Sequence, residues 1–250
     1  MRPNGSGLRH VLPTVYASYA RWTLHGRRFV FVRSRGGRSA GIWTAGANGR
    51  DLRQVTSSEY DGSPAWSPDD RRIVFVRQVP TPTVYLDRLW IVDVSGHHAH
   101  RLVPNKVGIG PDWSPNGKWV AFAGVPQDPL DGWLYVVRAN GKGLHRLPWR
   151  GQYPRWSPDG KRLAFIRSTP HGYIATVVTT ATNRVRAIKV DLNAPFVVWS
   201  PGGKDLLVSF WDRSAPDNEI YNVTKLRIRD GQRRFLLQHL GSLWVGDWRR

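Results

Sequence analysis

The stretch of sequence that decides the fold is residues 154–165, PRWSPDGKRLAF. Residues 157–160, SPDG, suit a type I turn, because Ser favours its first position, Pro presets φ at the second and Gly favours the fourth. Apolar residues follow the turn from Leu163 onward, which is typical of a buried β-strand. The stretch therefore predicts a tight turn that leads from one strand into a second.

The same motif recurs along the chain. Tryptophans recur at intervals of 43 to 49 residues, as Trp22, Trp66, Trp113, Trp156, Trp199 and Trp248. The letters WSP begin the motif at four of them, and Trp22 begins a diverged copy, WTLHG. A period of forty-odd residues indicates a repeat architecture in which each copy forms one supersecondary unit.

Each repeat has the pattern of four short strands. Seven and nine residues after the tryptophan, most copies carry a large apolar residue, as at Leu163 and Phe165. Apolar neighbours surround these positions, so the second strand is predicted to be buried on both faces. The unit is completed by a third apolar run, a turn such as Asn140-Gly141 and a fourth run such as Arg146-Leu147. Four strands with tight connections are typical of a propeller blade.

The sequence thus predicts an all-β chain, a β-propeller of four-stranded blades with about five complete blades plus part of a sixth. We expect the propeller to occupy residues 17–250, with residues 242–248 as the first strand of the sixth blade. Residues 1–16 form an N-terminal extension, in which residues 9–16 could lend one closing strand, because an unclosed ring leaves exposed sheet edges.

The repeat resembles a known family. Residues 154–165, 64–75 and 111–122 resemble the repeats of TolB-like propellers, and the same pattern occurs in the propellers of prolyl-oligopeptidase and dipeptidyl-peptidase relatives. The resemblance extends from about Ala20 to Trp248. It implies a platform for protein interactions, in TolB-like proteins tied to the cell envelope or periplasm. The extra N-terminal domain and export signal of a TolB-like protein are not found in the sequence.

The composition indicates which kind of partner the charge favours, but it does not indicate the cellular compartment. The formal net charge is +19, from 37 Lys and Arg against 18 Asp and Glu, which favours anionic partners such as nucleic acid or acidic polymers. The alternative is an arginine-rich bias spread over the whole surface. There is no cysteine, no apolar run long enough to span a membrane and no signal peptide, so the localisation stays unassigned.

Several residues carry the letters of catalytic or metal-binding motifs. Ser39 lies in a G-x-S-x-G pattern, but no helix is predicted after it, so we interpret it as part of a Gly-rich hairpin. His97, His98 and His100 fall at a turn, where at most two imidazoles could converge. Asp69 and Asp159 occupy the same turn position in different blades, which argues against an acid–base pair. No cofactor, no metal and no catalytic residue are predicted.

A binding surface is predicted on one face of the propeller. The Ser-Pro-Asp-Gly and Asn-Gly turns lie on one face, and the longer connections after the second and fourth strands lie on the other, where function is usually found. Arginine with tryptophan suits a surface that binds anions, aromatic groups or protein. The predicted binding residues on this second face are Arg33, Arg77, Arg167, Trp149, Arg150, Trp211 and Arg213. The alternative for Trp149 and Trp211 is packing under their own loops.

Three functions are compatible with the sequence. The preferred one is a non-enzymatic protein-interaction scaffold that resembles TolB-like propellers, with a protein as its partner. The second is the propeller portion of a peptidase-like or envelope protein separated from its catalytic domain. The third is a binder of anionic polymers through a basic loop face. We expect no hydrolase activity and expect Ser39 to be dispensable.

Overall fold

The computed structural model describes residues 11–12, 15–35, 38–104, 108–124, 132–170, 172–190, 193–211 and 221–240. Within these ranges every regular element is a β-strand, and the strands form five four-stranded antiparallel sheets. The predicted four-stranded propeller blades are confirmed, and five are present. No helix with the length and hydrophobicity that membrane crossing requires occurs in these ranges.

Each blade uses its four strands in chain order. Blade 1 comprises β1 (Tyr16–Trp22), β2 (Arg28–Arg35), β3 (Arg38–Gly46) and β4 (Arg53–Gln54). Blade 2 comprises β5 (Asp61–Trp66), β6 (Arg72–Pro80), β7 (Tyr85–Asp93) and β8 (His100–Arg101). Blade 3 comprises β9 (Gly108–Trp113), β10 (Trp119–Gly124), β11 (Trp133–Arg138) and β12 (His145–Arg150). Blade 4 comprises β13 (Gln152–Trp156), β14 (Arg162–Thr169), β15 (Gly172–Thr179) and β16 (Arg184–Val190). Blade 5 comprises β17 (Asn193–Trp199), β18 (Asp205–Trp211), β19 (Tyr221–Arg227) and β20 (Arg233–Leu240).

The second strand of each blade is buried on both faces. Val30 and Phe31 are adjacent in β2, so their side chains point to opposite faces of the sheet, and both are fully buried. The equivalents of Phe31 in the next three blades, Phe75, Phe122 and Phe165, are also fully buried. A sheet packed between two neighbouring blades requires this double burial, which explains the continuous apolar runs of the sequence.

The turn after the first strand is held by a repeated set of hydrogen bonds. In blade 4, Ser157 Oγ donates to Asp159 Oδ1 at 2.5 Å and accepts from the backbone N–H of Arg162 at 2.9 Å. In blade 3, Asn116 takes the place of the aspartate and accepts from Ser114 Oγ at 2.8 Å. The Ser-Pro-Asp-Gly sequence therefore specifies a turn that is held by its own hydrogen bonds. The serine hydroxyl accepts the hydrogen bond of the backbone N–H at the start of the second strand.

The antiparallel order of the strands gives the propeller two different faces. The connections from the first to the second strand and from the third to the fourth lie on one side, called here the turn face. The connections from the second to the third strand, and from one blade to the next, lie on the opposite side, the loop face. This division agrees with the one expected from the repeat.

The first strands of the five blades surround the axis, since residues of all five line one small cavity at its turn-face end. These strands are β1, β5, β9, β13 and β17. The rings of Tyr19 in blade 1 and Phe196 in blade 5 meet edge to face, with centroids 6.4 Å apart. The first and last blades therefore contact each other on the inner side.

Two predictions concern residues that the structure leaves undescribed. A partial sixth blade is not shown, because residues 242–248 lie outside the described ranges, and it stays a prediction. Of the extension over residues 1–16, only 11, 12, 15 and 16 are described, so the closing strand and the domain boundary also stay predictions.

Candidate functional site

The turn-face end of the axis is filled by tryptophan rings and an ion pair. The repeat tryptophans of all five blades line a small cavity of about 70 Å³ there. Two further lining residues form an ion pair, in which Arg21 of blade 1 donates to Asp112 of blade 3 at 2.5 Å. The second carboxylate oxygen of Asp112 accepts from the backbone N–H of Trp156 in blade 4 at 2.8 Å. This end therefore joins three blades, and its volume is well below that of a ligand pocket, about 300 Å³ or more.

The loop-face end of the axis has a larger cavity of about 340 Å³, called here the axial cavity. Residues of blades 1 to 4 line it: Tyr19, Glu59, Tyr60, Asp61, Gly62, Ser63, Val76, Gln78, Asp87, Ile109 and Tyr153. The lining combines tyrosine rings with carboxylates and includes no lysine, arginine or histidine among the described residues. A concave site with aromatic walls and a few polar groups is the usual form of a binding site.

A repeated irregularity of the inner strands positions two of the tyrosines. Three residues before the tryptophan, Tyr19 and Tyr153 adopt left-handed backbone conformations with φ of 54° and 51°. The register between the first and second strands shifts at the same points. The equivalent residues of blades 2 and 3, Ser63 and Gly110, also have left-handed backbone, so the conformation belongs to the repeat. At Tyr19 and Tyr153 it sets the direction in which the side chain starts. Phe196 occupies the equivalent position in blade 5 and packs on Tyr153, with ring centroids 4.8 Å apart.

The carboxylates of the axial cavity have different partners. Asp61 has a fully buried side chain that accepts two hydrogen bonds from Arg77, at 2.6 and 2.8 Å. Asp87 accepts a hydrogen bond from the side-chain amide of Gln78 at 3.1 Å, which leaves its charge uncompensated. Glu59 is exposed at the rim. Within the described ranges, neither Asp87 nor Glu59 forms an ion pair with a basic side chain.

The tyrosines of the axial cavity are held in their neutral form. Burial raises the pKa of Tyr19, and the charge of Asp87 raises it further. Burial also raises the pKa of Tyr153, and the nearby Tyr19 and Asp87 raise it further. At the rim, Tyr60 stacks on Tyr85 with centroids 5.7 Å apart, and its pKa is raised by Tyr85 first and by Glu59 second. The negative charge of the site therefore comes from its carboxylates.

The structure places the arginines predicted for binding in different local settings. Arg33 lies over the ring of Trp43, with its guanidinium carbon 4.6 Å from the centroid. Arg77 is held by Asp61 and also lies over Trp90 at 4.6 Å. These three predicted arginines, Arg33, Arg77 and Arg167, belong to blades 1, 2 and 4, and Arg167 is exposed. Whether they bind a partner stays a prediction.

Of the other predicted binding residues, Trp149, Arg150 and Trp211 lie at the ends of strands on the loop face. Trp149 is half-buried and packs against a core cluster that includes Leu134 and Phe165. Arg150 is exposed, and its guanidinium carbon lies 4.9 Å from the ring centroid of Trp133. Trp211 ends β18, but its side chain, like the whole of Arg213, lies outside the described residues.

The residues of the candidate catalytic and metal-binding motifs form hydrogen bonds with backbone groups or with nearby side chains. Ser39 Oγ makes its two hydrogen bonds with backbone groups in the described part of the chain, the carbonyl of Asp61 at 3.5 Å and the N–H of Gly41 at 3.3 Å. His98 pairs with Asp93 at 2.6 Å, a carboxylate that the sequence interpretation did not associate with the histidines. Asp69 hydrogen-bonds to Ser67 in its own turn, as Asp159 does to Ser157.

The tyrosines of the loop face were not predicted from the sequence. Every tyrosine of the chain lies in the loop-face half of its blade or lines the axial cavity: Tyr16, Tyr19, Tyr60, Tyr85, Tyr135, Tyr153, Tyr173 and Tyr221. Their positions relative to the repeat tryptophan are the signal that could have shown this, because most of them begin a first or third strand. Tyr135 and Tyr173 pack against core residues, whereas Tyr16, Tyr60 and Tyr85 are exposed.

Comparison with known proteins supports the fold. No protein-family model matches the sequence, and the comparison with curated proteins gives no match. Among solved structures, TolB from Acinetobacter baumannii is similar with a TM-score of 0.74 and 18% identity, over 91% of this chain and 56% of that chain. A putative TolB from Agrobacterium tumefaciens is similar with a TM-score of 0.73 and 18% identity, over 93% of this chain and 85% of that one. The predicted resemblance to TolB-like propellers is therefore confirmed for the fold.

An enzyme has the same kind of propeller. Oligogalacturonate lyase from Vibrio parahaemolyticus is similar with a TM-score of 0.64 and 14% identity, over 93% of this chain and 69% of that one. The described blades span little more than half of the Acinetobacter TolB chain. Fold similarity at these identities does not choose between binding and catalysis, so the function has to be argued from the site.

Proposed function

We propose that this propeller is a non-enzymatic scaffold that binds a protein partner on its loop face, around the axial cavity. The observation that carries the proposal is the concentration of tyrosine on this face, with Tyr16, Tyr60 and Tyr85 exposed by 82%, 37% and 57%. Tyrosine is enriched in protein interfaces because its rigid ring gives a large contact area and its hydroxyl gives a hydrogen bond.

The surroundings of these tyrosines support a protein partner. Val84, at the tip of the connection between β6 and β7, is 54% exposed beside Tyr85, so apolar and aromatic surface is continuous there. Tyr60 lines the axial cavity, and the ring of Tyr85 stacks on it. An exposed aromatic patch next to a concave cavity offers an anchor pocket surrounded by a contact surface, which is the arrangement of interface hot spots.

The geometry of the candidate nucleophile supports a non-enzymatic role. An activated serine needs a base within hydrogen-bond reach, and in the described residues Ser39 Oγ bonds to backbone groups instead. Asp69 and Asp159 are engaged in the turns that they stabilise. Their residue types alone attracted attention in the sequence, and their contacts give them structural roles.

Site-specific photo-crosslinking tests the proposal. A photoreactive phenylalanine analogue at Tyr85, on the loop face, should crosslink a defined protein in cells that express the chain. The same analogue at Leu144, which is 40% exposed on the turn face, is the matched control. The purified partner should then bind Tyr60→Ala/Tyr85→Ala at least about tenfold more weakly than the wild type, and Leu144→Ala as well as the wild type. Crosslinks of equal yield from position 144, or unchanged binding by the double variant, would contradict the proposal.

A second candidate function is the binding of an anionic polymer. The observation in its favour is a base at the same repeat position in all five blades, five residues after the tryptophan: Arg27, Arg71, Lys118, Lys161 and Lys204. All five are exposed in the turn-face connections that follow the inner strands. On the loop face, where polymer binding was predicted from the sequence, Arg33 lies over Trp43 and Arg77 pairs with Asp61.

A further inference from the structure

We propose that the axial cavity recognises a cation, an arginine or lysine side chain that the protein partner inserts into it. This inference rests on the proposed protein-binding function and deepens it, since it names the chemical group that the partner supplies.

The charge of the axial cavity is opposite to that of the chain. Basic residues outnumber acidic ones 37 to 18 overall, yet the lining has three carboxylates and, among the described residues, no base. Arg77 compensates the charge of Asp61 by its two hydrogen bonds. Asp87 and Glu59 remain, and Glu59 is one of only two glutamates in the chain. A partner cation would therefore find two carboxylates in an otherwise basic molecule, which gives strong local selectivity of charge.

The walls of the cavity add a second recognition element. Tyr19, Tyr60 and Tyr153 contribute rings from three blades, and the faces of aromatic rings attract lysine and arginine side chains. The pKa of Tyr19 and that of Tyr153 are raised, so both hydroxyl groups keep their protons at neutral pH and add no charge to the site. Rings and carboxylates together suit an organic cation, which has both apolar and charged parts.

The arrangement is set before any partner arrives. The left-handed backbone at Tyr19 and Tyr153 fixes the start of each side chain, and Phe196 packs against both rings. Gln78 holds the carboxylate of Asp87. Preorganised groups lose little conformational freedom on binding, which favours affinity for a small group such as one side chain.

A metal ion fits the site less well than an organic cation. In the described part of the chain no three carboxylate or imidazole side chains come together closely enough to hold one. Asp61 is already saturated by Arg77, and aromatic rings are not ligands of hard cations. The tyrosine rings that line the cavity can contact an organic cation, whereas they offer nothing to a metal ion.

Titration with a single residue tests the inference without the partner. The probe is N-acetyl-arginine amide, and its neutral isostere N-acetyl-citrulline amide is the control ligand. In ¹H–¹⁵N spectra of the full chain, we expect saturable shifts of the backbone signals of Gly62, Ser63 and Ile109, which line the cavity. Because one side chain offers few contacts, the dissociation constant should lie in the millimolar range. Citrulline should bind at least about fivefold more weakly, since it lacks the charge.

Charge-neutral variants give the decisive comparison. Glu59→Gln/Asp87→Asn should weaken arginine binding at least about fivefold, because both uncompensated carboxylates are lost. The matched control is Asp51→Asn/Asp93→Asn, which removes two exposed or half-exposed carboxylates of the turn face and should bind like the wild type. Glu59→Gln alone, at an exposed position, gives a variant that folds normally if the double variant does not.

Three results would overturn the inference: equal binding of citrulline, equal effects of the two double variants, or no saturable shift at about 50 mM probe. The crosslinking experiment is independent of this titration. Crosslinks at Tyr85 without arginine binding would refute the cation pocket and leave the protein-binding function in place. Arginine binding without crosslinks would leave a cation pocket in place but contradict a protein partner that fills it.

Discussion

At the scale of single residues, the first turn of each blade has one position whose backbone conformation favours glycine, and one of the five blades lacks glycine there. The fourth residue after the tryptophan has a left-handed backbone in all five blades, and it is glycine in four of them. In blade 2 it is Asp70, with φ of 57°. Glycine adopts this conformation without steric cost, whereas a residue with a Cβ does not.

Asp70→Gly should therefore stabilise the protein, by about 0.5 to 1 kcal/mol in the free energy of unfolding measured with urea. A second effect has the same sign, because Oδ1 of Asp70 is buried without a hydrogen-bond partner in the described structure, and burial raises the pKa of Asp70. A raised pKa means that the charged carboxylate destabilises the folded state at neutral pH. This part of the gain should shrink as the pH falls through the folded pKa towards the ordinary value of about 4.

The control for this change is the same turn in blade 4. Gly160→Asp introduces the residue of blade 2 at a backbone with φ of 67°, where a Cβ would meet Pro115 at an ordinary 3.6 Å. It should destabilise the protein by about 1 kcal/mol through the backbone conformation alone. A neutral or destabilising Asp70→Gly would show that the carboxylate of Asp70 makes a favourable contribution that its contacts do not explain.

At the scale of elements, a repeated arginine links three of the five blades to the next one. The residue six positions after the tryptophan is Arg28, Arg72 and Arg162 in blades 1, 2 and 4. Each lies over the repeat tryptophan of the following blade, with distances to the ring centroid of 6.0, 5.1 and 4.7 Å. The position is Trp119 in blade 3, which packs against the same core cluster as Trp156 of the next blade.

Arg72→Gln should lower the free energy of unfolding by about 1 kcal/mol, because it removes a partly buried cation–π contact between blades 2 and 3. The control is its neighbour Arg71→Gln, an exposed position whose change should stay within about 0.5 kcal/mol. Urea unfolding of both variants, compared with the wild type, measures the difference. Equal midpoints for the two variants would mean that the contact with Trp113 does not hold the blades together.

At the scale of the whole molecule, the positive charge is distributed unevenly. The turn face carries five exposed bases in equivalent positions, and the axial cavity on the loop face carries carboxylates. Polyanion binding should therefore depend more on the turn face than on the loop face, if the charge contributes to function beyond solubility.

We expect Lys118→Gln/Lys161→Gln to lower the salt dependence of binding to double-stranded DNA, used as a model polyanion, by up to about two units of slope, about 0.9 for each lost phosphate contact. The matched loop-face pair, Arg150→Gln/Arg167→Gln, should change it less. Fluorescence anisotropy across a salt series measures both slopes. A larger effect of the loop-face pair would favour the site predicted from the sequence, equal effects would indicate a uniformly basic surface, and no binding at moderate salt would rule out the polymer function.

The repeat itself was predictable because its causes are local. The turn of residues 157–160 is specified by four consecutive residues and their own hydrogen bonds, and the burial of Phe165 follows from a continuous apolar run. The period of the tryptophans then supplied the five complete blades, whereas the partial sixth blade stays a prediction. Short-range interactions of this kind leave their pattern in the sequence, so the fold class, the strand order and the two faces could be derived from it.

The candidate site was not predictable in the same way. The pairing of β5 with β6 brings Arg77 and the buried carboxylate of Asp61 together, a contact that the sequence did not indicate. The meeting of Tyr19, Asp87 and Tyr153 depends on three blades and on the irregular inner strands. The sequence by itself determined the blades, because each blade is stabilised by neighbours in the chain. Only the tertiary structure decided which side chains share the axial cavity, because the ring brings together residues more than a hundred positions apart.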